Sequence, residues 1–131
     1  MKIINVSGKR KTAIARASLK KGTGKVRINK VPLNLFSTEI AQLKIKEPLV
    51  LAGEVANKVD IEINVNGGGQ SGQIEAVRLV IGKALAAFDE RLKDVFTQYD
   101  KRLLVADVRR KEPSKPNRHG KARAKRQKSY R

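Results

Sequence analysis

Residues 60–88 read DIEINVNGGGQSGQIEAVRLVIGKALAAF, and two different periodicities meet inside them. From Asp60 to Asn66 the side chains alternate: Ile61, Ile63 and Val65 take one face, Asp60, Glu62, Asn64 and Asn66 the other. A period of two marks a half-buried β-strand. Beyond Gly67-Gly68-Gly69 the period lengthens. Ile74, Val77, Ile81, Ala84 and Phe88 recur at steps of three or four, which predicts a helix over 71–88 with an apolar stripe. A strand joined by a glycine turn to a long amphipathic helix calls for a layer of sheet packed against a layer of helix.

The flanking sequence extends both layers. Lys2–Val6 is a short strand candidate. From Thr12 to Lys20, Ala13, Ala15, Ala17 and Leu19 point one way and Arg16, Ser18 and Lys20 the other, with Ile14 interrupting the polar face. Lys21-Gly22-Thr23-Gly24 reads as a turn, and Lys25–Asn29 resumes the alternation with Val26 and Ile28 opposite Lys25 and Arg27. The two segments read as a hairpin with a small-residue core face and a cationic outer face. Ser37 is placed to cap a short helix carrying Ile40 and Leu43. Pro48 is expected to end it, and Leu49–Ala52 to add a turn closed by Gly53. Asp89 and Glu90 suit the first turn of a further helix with Leu92, Val95, Phe96 and Tyr99 on one side. This order of elements predicts an α+β two-layer sandwich with helices on one sheet face.

Charge divides the chain of 131 residues into three parts. Residues 1–31 carry a net +10, residues 32–108 a net −2, and residues 109–131 a net +10, giving +18 overall. Apolar residues divide it differently: the last 23 residues contain only Ala122, Ala124 and Tyr130. Such a tail buries too little surface to offset its ordering entropy. The expectation is one globular body, 1–108, and a basic arm, 109–131, disordered until it binds. The chain has no cysteine and one histidine, His119. Disulfides, cysteine-ligated metals, thiol catalysis and multi-histidine sites are thereby excluded. Neither a membrane-spanning segment nor a secretory leader is expected.

The charged motifs point to a polyanion. Lys9-Arg10-Lys11, preceded by Gly8, would grip phosphates, and Arg16, Lys20, Lys21, Lys25, Arg27 and Lys30 follow with no acid among them. The Gly67-Gly68-Gly69 loop stands before a helix, where bare N–H groups attract phosphate. It lacks both the Walker ending and the acidic residue of a dinucleotide fingerprint, so it reads first as a tight turn and second as an RNA phosphate contact. His119 sits in the arm with nothing to orient it, and no acid–base pair is evident, so no enzyme is predicted. The arm, with Arg109, Arg110, Arg118, Arg123, Arg126, Lys128 and Arg131, has the make-up of segments that thread along nucleic-acid backbones; Tyr130 is free to stack on a base or ribose. A DNA architectural protein shares this charge, but the helix over 71–88 offers only Arg78 and Lys83 to a major groove. A nucleotide-using enzyme built on the glycine loop is the remaining alternative.

GKRKTAIARA at 8–17, GKVRIN at 24–29, NGGGQSGQIEAVRLVIGKAL at 66–85, LLVADVRR at 103–110 and QKSYR at 127–131 resemble the small-subunit ribosomal protein nine family. The SYR ending and YDKRLLVAD are similar to its archaeal and eukaryotic branch. The resemblance implies a body like the second domain of ribosomal protein five, a mixed sheet with a left-handed β–α–β crossover. It implies a cytoplasmic structural protein of the small ribosomal subunit, bound to the 3′ major domain of the rRNA in the subunit head beside neighbouring head proteins. It implies no cofactor, metal or small-molecule substrate. By position, Lys9, Arg10, Lys11, Arg109, Arg110 and the 123–126 stretch become rRNA contacts. Lys128, Tyr130 and Arg131 become contacts to the anticodon stem-loop of the peptidyl-site tRNA.

Overall fold

The computed structural model describes residues 3–36, 38–100 and 103–104. Five strands and three helices follow in the order β1 (Ile4–Arg10), β2 (Ala13–Lys21), β3 (Val26–Ile28), β4 (Val31–Pro32), α1 (Glu39–Ala52), β5 (Val59–Asn66), α2 (Gln70–Phe88) and α3 (Arg91–Tyr99). The strands form one mixed sheet in the order β1-β2-β5-β3-β4. The helices pack as a second layer, so the predicted two-layer α+β sandwich is the fold.

Alternation sets the faces as the sequence indicates. Ala13, Ala15, Ala17 and Leu19 on β2 and Ile61, Ile63 and Val65 on β5 are all buried. The alanines matter for distance: a strand face of methyl groups lets α2 lie close across β1 and β2. Each fully buried isoleucine of β5 contributes about 1.5–3 kcal/mol. α2 is buried well beyond its predicted stripe, because Ala76, Leu79, Val80, Leu85 and Ala86 are also enclosed. The sheet covers one side of this helix while α1, α3 and Leu103 cover others.

The predicted β2–β3 hairpin does not form. β5 lies between the two segments, pairing antiparallel with β2 and parallel with β3. The hairpin partner of β2 is instead β1, in a register that sets Arg10 opposite Ala13 across the two-residue turn Lys11-Thr12. The N-terminal cationic block is therefore a hairpin tip, not a loop leading into a strand. β3 forms its own small hairpin with β4 across Asn29-Lys30, both at positive φ. The Asn29 side chain ties that turn to β5, accepting from Val65 N at 2.9 Å and donating to Val65 O at 3.2 Å.

Pro48 does not end α1. The helix runs through it for 14 residues and stops at Gly53, at φ 64°. A proline inside a helix costs about 3 kcal/mol, chiefly through a lost backbone hydrogen bond. Burial of Pro48 together with Ala41, Ile45 and Ala52 offsets that cost. The buried face is thus not the predicted one: Ile40 and Leu43 are exposed. Thr38 caps the helix, its hydroxyl accepting from Ala41 N at 3.3 Å. The predicted cap, Ser37, lies outside the described residues. In α3, Leu92 and Phe96 are buried, whereas Val95 and Tyr99 face solvent.

Candidate nucleic-acid interface

The two sheet faces differ in chemistry because one carries the helices and the other carries none. On the helix-free face the register places Lys9 beside Ile14, Ser7 beside Arg16 and Asn5 beside Ser18. It places Arg16 beside Asn64, Lys20 beside Asp60 and Arg27 beside Glu62. A shallow depression of about 470 Å³ on this face is lined by Asn5, Ser7, Arg16, Ser18, Glu62 and Asn64, among others. Hydroxyls, amides and one guanidinium give it donors and acceptors suited to phosphate and ribose. The outer face is therefore mixed where a purely cationic one was expected, since β5 inserts Asp60 and Glu62 between the basic strands.

Those two acids act locally. Glu62 accepts from Arg27 Nη1 at 3.4 Å, and Arg27 Nη2 donates to the Lys30 carbonyl at 3.2 Å. Asp60 accepts from the backbone N–H groups of Thr23 and Lys25, both at 3.0 Å. The Lys25 N–H, then that of Thr23, hold the Asp60 carboxyl below its ordinary value of 3.8. Asp60 thereby fixes the turn that presents Lys21 and Lys25. A depressed carboxyl supplies stability that is present above the unfolded-state pKa and is lost as pH falls through the folded one. The urea midpoint of the wild type is expected to drop on acidification from about pH 5 to pH 2, and an Asp60→Asn variant to drop less, the two converging at the acid end. Parallel curves for the two proteins would remove Asp60 as the source.

The second concentration of charge is the β1–β2 tip, and here two motifs distant in sequence meet. Gly67 and Gly68, at φ 77° and 66°, lie against the tip: a Cβ on Gly67 would stand 2.7 Å from the Thr12 carbonyl oxygen, and one on Gly68 would stand 2.9 Å from Ala13 N. Only glycine allows both the backbone shape and the approach. Gly69 has open space where its Cβ would be, and it caps α2 with no side-chain hydrogen bond. Lys9, Lys11 and the first-turn N–H groups of α2 consequently share one end of the molecule. The N-terminus of a 19-residue helix carries about half a positive charge. Arg10 is turned the other way, paired with Glu75 of α2, and bolts the tip to the helix layer.

Three cations of the helix layer, Arg78, Lys83 and Arg91, are engaged within the fold. Arg78 donates to Glu47 at 2.6 Å and 3.1 Å and to Asp100 at 3.4 Å, joining α2 to α1 and to the end of α3. Lys83 Nζ donates to the Ser7 carbonyl at 2.7 Å. Asp89 holds Arg91 through both side chain and backbone, and the Arg91 guanidinium is the main cause of its lowered pKa. Sequence reading did not find the assignments of Arg78 and Lys83, because their partners lie 22 to 76 positions away along the chain. Among the described residues, the strands and their turns set Lys9, Lys11, Arg16, Lys20, Lys21, Lys25, Arg27 and Lys30 against Asp60 and Glu62 alone. The helix layer is close to charge balance. Arg109, Arg110, Arg118, Arg123, Arg126, Lys128, Tyr130 and Arg131 lie outside the described residues, as does His119.

Comparison with known proteins places the chain in a family. A family model described as ribosomal protein S9/S16 matches residues 8–131. The chain is 50% identical over 134 aligned positions to the small ribosomal subunit protein uS9 of Methanococcus maripaludis strain C7, covering all of both chains. It is 48% identical, again over both full lengths, to the protein of that name from Methanococcus vannielii. A folded body with a cationic strand side and a self-paired helix layer, matched end to end in this way, belongs to the ribosomal protein S9/S16 family, whose members are structural constituents and not enzymes.

Proposed function

We propose that the chain is a cytoplasmic structural protein of the small ribosomal subunit that holds head rRNA, in the 3′ major domain, against the strand side of its body. Its residues 109–131 form an arm that reaches the peptidyl-tRNA site. The observation that carries this reading is the meeting of the Lys9-Arg10-Lys11 tip with the Gly67-Gly68-Gly69 loop and the α2 N-terminus, on the side that also bears Arg16, Lys25 and Arg27. Cations there neutralise phosphates while backbone N–H groups donate to a close-lying one. Arg10 keeps the tip in place through Glu75 and remains a contact candidate at its edge. Arg109, Arg110, Arg118, Arg123 and Arg126 extend the rRNA contacts along the arm. Neighbouring head proteins complete the site. The pairing of Arg78 and Lys83 inside the fold argues against a helix that reads the DNA major groove, where exposed side chains on one helix face are required.

The test is binding of the full chain to a 3′-domain rRNA fragment against excess duplex DNA and unrelated RNA. Binding that survives the competitors supports the reading, and equal displacement by every polyanion overturns it. For the arm, removing Lys128, Tyr130 and Arg131 or the whole 129–131 end is expected to spare incorporation into subunits and to weaken peptidyl-site tRNA binding. Removing Arg131 and the Tyr130 ring, with or without Lys128, corresponds to about tenfold or more. Lost incorporation with unchanged tRNA affinity would assign the arm to assembly instead.

A further inference from the structure

A groove of about 500 Å³ lies between the β3–β4 edge and α1, away from the β1–β2 tip. Its floor is apolar, formed by Pro32, Leu33 and Leu49, and Lys25 and Lys46 stand among its lining residues. The size falls in the range of about 300–1,000 Å³ that suits a small-molecule-sized group. Lys46 is half-buried, and among the described residues no acidic side chain pairs with it. That separates it from Arg78 and Arg91, whose charges are met within the fold, and from Arg27 nearby, which Glu62 and the Lys30 carbonyl hold. A partly desolvated ammonium beside an apolar floor is matched by a ligand that is flat and apolar on one part and anionic on another.

We infer that this groove takes one unstacked nucleotide of the bound RNA, its base lying on Pro32, Leu33 and Leu49 and its phosphate between Lys25 and Lys46. The inference rests on the RNA-binding reading above and adds a subsite to it. A continuous duplex keeps its base faces stacked and presents phosphates, sugars and base edges, so it has no base face to place on the apolar floor. An unstacked nucleotide brings both parts, and single-stranded loops and bulges are where proteins engage RNA bases. The chemistry selects the shape of the element bound more than its sequence, because every base has an apolar face.

The experiment uses the full chain with methyl-labelled leucine, titrated with a single-stranded RNA hexanucleotide, with an RNA duplex of equal charge and with an acidic peptide. The hexanucleotide is expected to shift the Leu33 and Leu49 methyl signals, and the duplex to leave them in place. Lys46→Gln is expected to keep the fold and to lower the slope of log affinity against log salt for the hexanucleotide by about 1. Methyl signals that stay silent with the hexanucleotide overturn the subsite, as do signals that answer equally to the duplex or preferentially to the acidic peptide. If the groove is silent while the rRNA fragment still binds against competitors, only the subsite falls. If that binding is lost as well, the parent reading falls with it.

Discussion

Raising salt from 50 to 200 mM is expected to weaken binding of the full chain to the 3′-domain rRNA fragment by about 10³–10⁵, the range for roughly 6–10 phosphate contacts. The expectation follows from where the basic residues sit. Lys9, Lys11, Arg16, Lys20, Lys21, Lys25 and Lys30 lie on the strands and turns, and the last 23 residues add a net +10. Each phosphate neutralised releases condensed counterions, so the logarithm of affinity falls in proportion to the number of contacts. Single substitutions then sort the surfaces. Arg16→Gln is expected to reduce the slope by about 1, because its guanidinium lies on the helix-free face between Ser7 and Asn64. Lys93→Gln, on α3 in the helix layer, is expected to leave the slope unchanged. An affinity that falls less than tenfold across this range, or equal effects of the two substitutions, would count against the strand side as the RNA surface.

Gly82→Ala is expected to destabilise the fold by about 2–3 kcal/mol, although helix propensity alone gives the opposite sign. Gly82 lies inside α2, where alanine is ordinarily favoured over glycine by about 1 kcal/mol. Here the helix meets the returning chain. A Cβ on Gly82 would stand 2.3 Å from the Leu103 carbonyl oxygen and 3.3 Å from the Leu103 Cβ. The obstacle is backbone, so it cannot turn aside as a flexible side-chain end would. Leu103 is fully buried, and its N–H donates to the Asp100 carbonyl at 3.0 Å. To admit the methyl group, the Leu103 segment must lift from α2 and surrender its burial, which for a leucine side chain amounts to about 2–5 kcal/mol when lost outright. Urea denaturation of the variant checks the size, and proteolysis near Leu103 checks the place. A more stable variant would show that the segment does not pack there.

The amino-acid sequence by itself determined which side chains face the core on β2, β3 and β5 and where the long helix runs. Ile61, Ile63 and Val65, Ala13 to Leu19, and the 71–88 periodicity all declare themselves, because burial imposes a period that any window of the chain displays. The layer architecture and the polyanionic partner followed from the same local information, together with the net charge. What only the tertiary structure decided were the relations between distant segments. Alternation tells which face of β2 is inward but not that β5, rather than β3, lies beside it; strand pairing is a property of two segments, and one segment's pattern is silent on its partner. Pro48 carries a strong local signal to stop a helix, and burial against the core overrode it. Cations look alike in sequence wherever the fold places them: Arg78 and Lys83 proved to be bound to Glu47, Asp100 and the Ser7 carbonyl, while the tip around Lys11 came to rest against the glycine loop. Charge is a local quantity and neutralisation is a spatial one, so the candidate surface could be drawn only after the chain had been folded upon itself.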